Sequence, residues 1–239
     1  MSSTIRVETI TIGDELLLGI RENAHLTYLG TQFSHHGIEP AANLVIRDNP
    51  EDISTFFSES WKRSDLVITT GGLGPTTDDI TRESIAGALG EQLVFDPMIE
   101  LALKERFSQL GRPMPENNLR QCYRPGNAEV LKNPFGTAPG LLLHKEGKML
   151  VMLPGPAREM HPMFEQIIIP RLQKEGFFPE IDCYIQIRTA GIGESALAEK
   201  IEHLFEGKES LVVGYCAHAG MVDVRLSSLD GSILTEQDL

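Results

Sequence analysis

The sequence predicts an α/β fold, a doubly wound, mostly parallel sheet followed by a small α+β module. Three observations carry this. Short β-branched apolar runs alternate with amphipathic stretches through the first half, the order that builds parallel sheets. A glycine-rich turn, Gly71-Gly72-Leu73-Gly74, stands between one such run and the helix after it. The pattern then changes after about residue 173, where one strand, one helix and two strands follow. The predicted organisation is a domain over 1–172 and a small module over 173–239.

Ile5 to Ile12 is the first predicted strand, and Gly13-Asp14-Glu15 turns the chain at its end. Ala24 to His36 is an amphipathic helix that stops at Gly37. Residues 41–46 form a second strand, and a helix over 51–62 follows Pro50. Asp65 to Thr70 is a buried strand, short, apolar and bounded by glycine. Thr81 to Leu89 is the next helix, with Ile85, Ala88 and Leu89 on one stripe. Asp96-Pro97 opens a helix that runs to Leu110. Residues 111–118 are polar and proline-rich, and read as a surface excursion. Leu141–His144 and Met149–Leu153 form a hairpin. A helix runs from about residue 157 to Leu172. In the module, Asp182–Ala190 is a strand and Ser195–Phe205 a helix. Leu211–Cys216 and Met221–Ser228 pair antiparallel.

The chain has 239 residues, with 41% hydrophobic and 23% charged residues, as globular proteins do. Its net charge of −13 argues against non-specific binding to nucleic acid or to anionic membranes. No apolar run is long enough to span a bilayer, and the first residues lack a signal-peptide core. Cys122, Cys183 and Cys216 are scattered without metal or redox spacing, which suits a reduced, cytoplasmic chain and gives none of them a role.

The turn at 71–74 joins a strand end to a helix start, where open α/β sheets bind ligands. Glycines bring backbone N–H groups close to a phosphate, and the helix start adds positive potential. Asp78 and Asp79 follow at once. Two acids beside an anion site repel the anion unless a cation sits between them, so a divalent metal is implied. The alternative is a tight turn whose acids cap a helix. No Gly-Lys-Ser/Thr follows, so this is not a P-loop, and the spacing is not that of a dinucleotide fingerprint. Acids also follow the first two strands, at Asp14 with Glu15 and at Asp48, and a parallel sheet brings such turns to one edge. Asp48 reads equally as a cap before Pro50. Asn133 to Gly140, with Gly136 and Thr137, is a third glycine loop. Pro154-Gly155-Pro156 is a second candidate phosphate cradle, and Glu159 lies one turn inside its helix. Arg120, Gln121 and Arg124 are placed to reach a phosphate or ribose, or are solvated loop residues.

Gly13 to Gly19, Gly71 to Thr81, Asn133-Pro134 through Gly140, and Leu153-Pro154-Gly155-Pro156 together resemble the competence-damage inducible (CinA) family. The resemblance covers the whole chain. It implies a MoCF, molybdopterin-binding-like domain to about Leu172 and a KH-like module after it. It further implies a metal-dependent ADP-ribose pyrophosphatase in the first domain. A nicotinamide mononucleotide deamidase domain of the family is expected to be missing from this chain. On this reading Asp79, Asp14 and Glu159 are the candidate catalytic acids. Asp14, Asp78 and Asp79 hold Mg²⁺, Mn²⁺ or Co²⁺. Gly13, Gly71, Gly72, Leu73, Gly74, Thr76, Gly136, Thr137, Pro154 and Gly155 line the phosphates, and Asn23 is a further contact. Leu73 replaces the Thr of molybdenum-cofactor relatives, which leans away from molybdopterin chemistry. The expected partner is a small nucleotide substrate, with no nucleic acid or membrane, and the resemblance suggests a homodimer. Two rivals are molybdopterin binding with adenylylation, and a nucleotide-binding module without turnover.

Overall fold

A computed structural model of the chain describes residues 5–179 and 184–228. It divides into two compact units. One holds residues 5–28 and 40–170, and the other holds 29–39 with the described residues after 170.

The elements of the first unit begin with β1 (Val7–Ile12), a single-turn helix α1 (Asp14–Leu17) and α2 (Ala24–His35), whose later turns belong to the second unit. Next come β2 (Ala42–Ile46), α3 (Pro50–Arg63), β3 (Leu66–Thr70) and α4 (Thr81–Ala88). Then follow β4 (Leu93–Phe95), α5 (Pro97–Gln109), a 3₁₀ turn (Glu116–Cys122), β5 (Tyr123–Pro125) and β6 (Glu129–Leu131). The unit ends with β7 (Gly140–Lys145), β8 (Lys148–Leu153), α6 (Ala157–Met163), a π-helical turn (Phe164–Ile168) and the start of α7 (Ile169–Lys174).

Six strands form one sheet in the order β2-β1-β3-β8-β7-β6. The β1–β2, β1–β3 and β3–β8 pairs are parallel. The β7–β8 hairpin and β6 are antiparallel. This is the predicted doubly wound, mostly parallel sheet. Every residue of β1 and β3 is buried. That explains why β3 reads as a continuous apolar run rather than an alternating one. Ile10, Val67, Ile85, Leu150 and Met152 belong to one core cluster. Each such side chain contributes about 1.5–3 kcal/mol by leaving water. The helices start where their sequence says. The Asn49 carboxamide oxygen accepts from the Glu51 and Asp52 amides at 2.9 and 3.2 Å, with Pro50 just inside α3. Asp96 accepts from Met98 N at 2.9 Å and caps α5 in the same way.

The register decides where the turns fall. Ile46 pairs with Ile12, Thr11 with Thr70, and Thr70 with Leu153. Four parallel strands therefore end almost level, and the segments at Asp48, Gly13, Gly71 and Pro154 leave the sheet side by side.

The structure differs from expectation in several elements: α1 forms within the expected turn at 13–19, and a π-helical turn interrupts the helix expected to run to Leu172. Residues 111–118 run over the surface as expected except at Met114 and Asn118. Met114 and Leu119 pack on a cluster of Ile99, Leu103 and Cys122, and Asn118 and Gln121 are buried in the 3₁₀ turn. The β4–β5 ribbon and β6, three residues each, have no counterpart in the sequence reading.

In the second unit, β9 (Tyr184–Ala190), α8 (Glu194–Ile201), a 3₁₀ turn (Glu202–Phe205), β10 (Leu211–His218) and β11 (Met221–Ser228) form the small α+β module. Its sheet runs β10-β11-β9, antiparallel throughout. Leu197 of α8 packs on Val222, Val224 and Leu226. On the opposite face Asp223 is buried. It accepts from Arg188 at 2.7 and 2.8 Å, Gln186 at 2.8 Å and His218 at 3.1 Å. Cys122 is buried and Cys216 half-buried, both as free thiols; Cys183 lies outside the described residues.

Candidate functional site

The level strand ends enclose a cleft of about 900 Å³ in the first unit. It lies at the carboxyl edge of the sheet, where the order reverses between β1 and β3, the usual ligand position in such folds.

The cleft floor is backbone. Gly71 has φ +101° and Gly72 φ +67°, the left-handed region that glycine adopts without strain. Space demands the same residue: a Cβ on Gly71 would strike the Ile12 carbonyl oxygen, and one on Gly72 the Thr81 hydroxyl. The Gly71 amide is bonded to Leu153 O at 3.0 Å, and the Gly13 amide to Ile46 O at 3.0 Å. A Cβ on Gly155 would stand 3.5 Å from the Gly71 Cα. The two glycine turns therefore lie side by side, with the Asp79 carboxylate against Gly74.

Around this floor stand acids. Asp48 Oδ2 accepts from the Asp14 amide at 3.0 Å. Burial raises the Asp48 carboxyl above its ordinary value, and the charges of Asp14, Glu15 and Asp78 raise it further against the pull of the Asp14 amide. Acids from three turns thus share one field. Thr76 closes the fourth part of the rim. Its amide donates to Asp79 Oδ2 at 2.9 Å, and its hydroxyl donates to the same oxygen. Thr76 also holds the Asp78 carboxyl below its ordinary value, helped by Asp78's own amide and by the charge of Arg120.

The candidate residues divide by position. Gly13, Gly71, Gly72, Gly74, Pro154 and Gly155 line the cleft. So do the acids Asp78, Asp79 and Glu159, and so does Thr137. Leu73 lines it too, with its side chain in the core and its carbonyl accepting from Gln121 at 3.4 Å. Three candidates are not among the lining residues. Asp14 is exposed beside the cleft, and the acid of that turn which faces inward is Glu15. Thr76 is occupied in closing its loop. Gly136 packs against Glu159, where a Cβ would overlap the carboxylate. Asn133 organises that loop: its amide nitrogen donates to Glu159 Oε2 and to Ala138 O, both at 2.8 Å. Asn23 caps α2 through Leu26 N at 3.1 Å and also lines the cleft.

Of the residues placed to reach a phosphate, Gln121 lines the cleft. Arg120 instead pins the acid loop, donating to the carbonyls of Thr76 and Asp79. Arg124 is held by Asp96 at 2.7 Å and by three carbonyls near β5.

His25 was not among the sequence candidates. It is 9% exposed, lines the cleft, and sets Nδ1 2.9 Å from the Thr70 hydroxyl oxygen. Burial holds its pKa below the ordinary 6.5, and the charge of His161 adds to this, against a hydrogen bond to the Gly155 backbone and the charge of Glu15. The only sequence signal was an Asn-Ala-His step at the start of α2.

Among the described residues no three His, Cys, Asp or Glu side chains form a ready-made metal cage. The donor set nevertheless fits a hard cation. Mg²⁺ and similar ions take one or two carboxylates and complete their shell with waters and substrate phosphates. Asp79 keeps Oδ1 clear of the two hydrogen bonds that hold Oδ2.

No helix among the described residues is long and apolar enough to cross a membrane. Residues 8–174 match the MoCF_biosynth family model, described as "Probable molybdopterin binding domain". Residues 186–236 match the model described as "Damage-inducible protein CinA KH domain". A CinA-like protein of Kosmotoga olearia is 39% identical over 94% of this chain and 54% of its own length. A relative of Clostridioides difficile, named as a competence-damage inducible protein, is 40% identical over 94% of this chain and 53% of its own length. The chain thus spans about half the length of these curated relatives. The crystal structure of the protein CinA from Thermoplasma acidophilum, titled as of unknown function, is similar at a TM-score of 0.65 and 31% identity. That match covers 71% of this chain and 99% of the other. On the two domain models and these relatives together, the chain belongs to the CinA family.

Proposed function

We propose that the cleft hydrolyses a nucleotide-sugar pyrophosphate, with ADP-ribose cleaved to AMP and ribose 5-phosphate. The observation that supports this most is the meeting of bare glycine turns and several acids in one cleft of an acidic chain. The turn at 71–74 would hold the diphosphate through backbone donors, with Gly155 supplying the one N–H of the proline-flanked turn at 154–156. Asp78 and Asp79, with Glu15 or Asp48 opposite, would supply ligands for Mg²⁺, Mn²⁺ or Co²⁺. When bound, that ion offsets phosphoryl charge and lowers the pKa of water. Glu159, held by Asn133, or one of the cleft's other acids, would take a proton from the attacking water. The new P–O bond forms from that water, the bridging P–O bond breaks, and two phosphomonoesters leave.

A second reading has support in the matched domain's description: molybdopterin binding with adenylylation in the same cleft. The test is incubation of the purified chain with ADP-ribose, with and without Mn²⁺ or Co²⁺, and separation of the products. Metal-dependent AMP release supports hydrolysis. Adenylylated pterin formed from ATP, with no AMP from ADP-ribose, overturns it in favour of the second reading. Binding without product overturns it in favour of a sensor.

A further inference from the structure

A second cavity, of about 570 Å³, opens between α5 and the segment from Val130 to Pro139. Only Thr137 is shared with the lining of the glycine cleft. Its chemistry is different. Ile99 and Leu103 of α5 give it an apolar wall, with Val130 and Pro139 among the other lining residues. Arg106 and Lys132 also line it, and neither side chain has an ion pair or hydrogen bond among the described residues. Its two acids are not equivalent. Asp96 is taken up by Arg124 at 2.7 Å and by the Met98 amide at 2.9 Å. Glu105 remains, so the groove's own balance is positive on a chain of net charge −13.

Two cations against one remaining carboxylate, beside an apolar wall, suit a ligand with an anionic head and a flat apolar body. A bare phosphate would leave the apolar wall wet. A purely aliphatic body would leave Glu105 and Gln109 facing hydrocarbon. We propose that this groove is a binding site for a nucleoside 5′-monophosphate. The base lies on Ile99 and Leu103, the ribose hydroxyls meet Glu105 and Gln109, and the phosphate dianion accepts from Arg106 and Lys132. The site stands apart from the glycine cleft and does not rest on hydrolysis there.

The test is titration calorimetry of the full chain with AMP, adenosine and inorganic phosphate, with ADP-ribose turnover measured separately. AMP should bind at least about tenfold more tightly than either fragment. The Arg106→Gln/Lys132→Gln pair should weaken AMP by about tenfold or more, with adenosine little changed. Ala102→Trp, on an exposed helix position of the groove, should block AMP and adenosine together while circular dichroism stays native. Three results would overturn the proposal. AMP does not bind. Phosphate binds as tightly as AMP. Or AMP binding survives both groove changes and is lost in Gly155→Val, which fills the other cleft. Because turnover is read independently, a chain that binds AMP here without hydrolysing ADP-ribose would leave this site standing and reject only the cleft's reaction.

Discussion

His25 Nδ1 stands 2.9 Å from the Thr70 hydroxyl oxygen, and the imidazole lines the same cleft as both glycine turns. One helix residue thereby ties α2 to the end of β3. Gly71 follows Thr70 directly, so this imidazole anchors the first glycine turn. It links the packing of α2 to the shape of the cleft.

Replacing His25 should therefore loosen the cradle more than the fold. His25→Ala is expected to cost about 1–3 kcal/mol in urea denaturation, from the orphaned buried partners. Calorimetry should show nucleotide affinity lowered about tenfold. His25→Gln, which keeps a hydrogen-bonding group there, should recover part of both. The pH dependence has a definite sign. The folded pKa lies below the unfolded value of 6.5, so the unfolded state binds the proton first. Stability from this site is complete above 6.5 and declines as the pH falls from there to the folded pKa. The alanine variant should lack that slope.

Two glycines should respond in opposite directions. A methyl on Gly136 meets the Glu159 carboxylate and the Asn133 amide. Gly136→Ala should cost about 1–3 kcal/mol in the same denaturation experiment, as overpacked sites do. Gly87 is exposed in α4 with nothing within 4 Å of an added Cβ. Gly87→Ala should gain about 0.5–1 kcal/mol.

The small module carries its own acid switch. Arg188, joined by His218, holds the Asp223 carboxyl down to about 2, against the rise that burial brings. A depressed folded pKa stabilises above the unfolded value of 3.8, and that contribution is lost as the pH falls towards 2. Circular dichroism should show acid unfolding steepen across this window. In Asp223→Asn the slope should flatten, and the module should be less stable at neutral pH.

The sheet was legible because its strands carry their own signals. Val67 and Ile68 sit in an unbroken β-branched run, and Pro50 and Pro97 mark helix starts. The meeting of the turns followed from parallel register, since level strand ends put Asp48, Gly13 and Gly71 on one edge. What a linear reading could not supply was side-chain direction. Glu15 faces the cleft while Asp14 does not, because a single helical turn rotates neighbours apart. Gln121 is buried because Met114 and Leu119 pull a polar, proline-rich segment back onto α5. His25 is separated from Thr70 by 45 residues, and nothing local announces a bond across that distance. Strands of three residues, such as β4 and β6, are too short to show any period.

In the proposed reaction, acids beside the glycine turns work with a divalent cation to cleave a diphosphate. The most direct measurement is Mn²⁺-dependent AMP release from ADP-ribose by the wild-type chain and by Asp79→Asn, both checked for native circular dichroism. The wild type should release AMP, and release should fall by about a hundredfold or more in the variant. No release from the folded wild-type chain, or equal release by the variant, would contradict it.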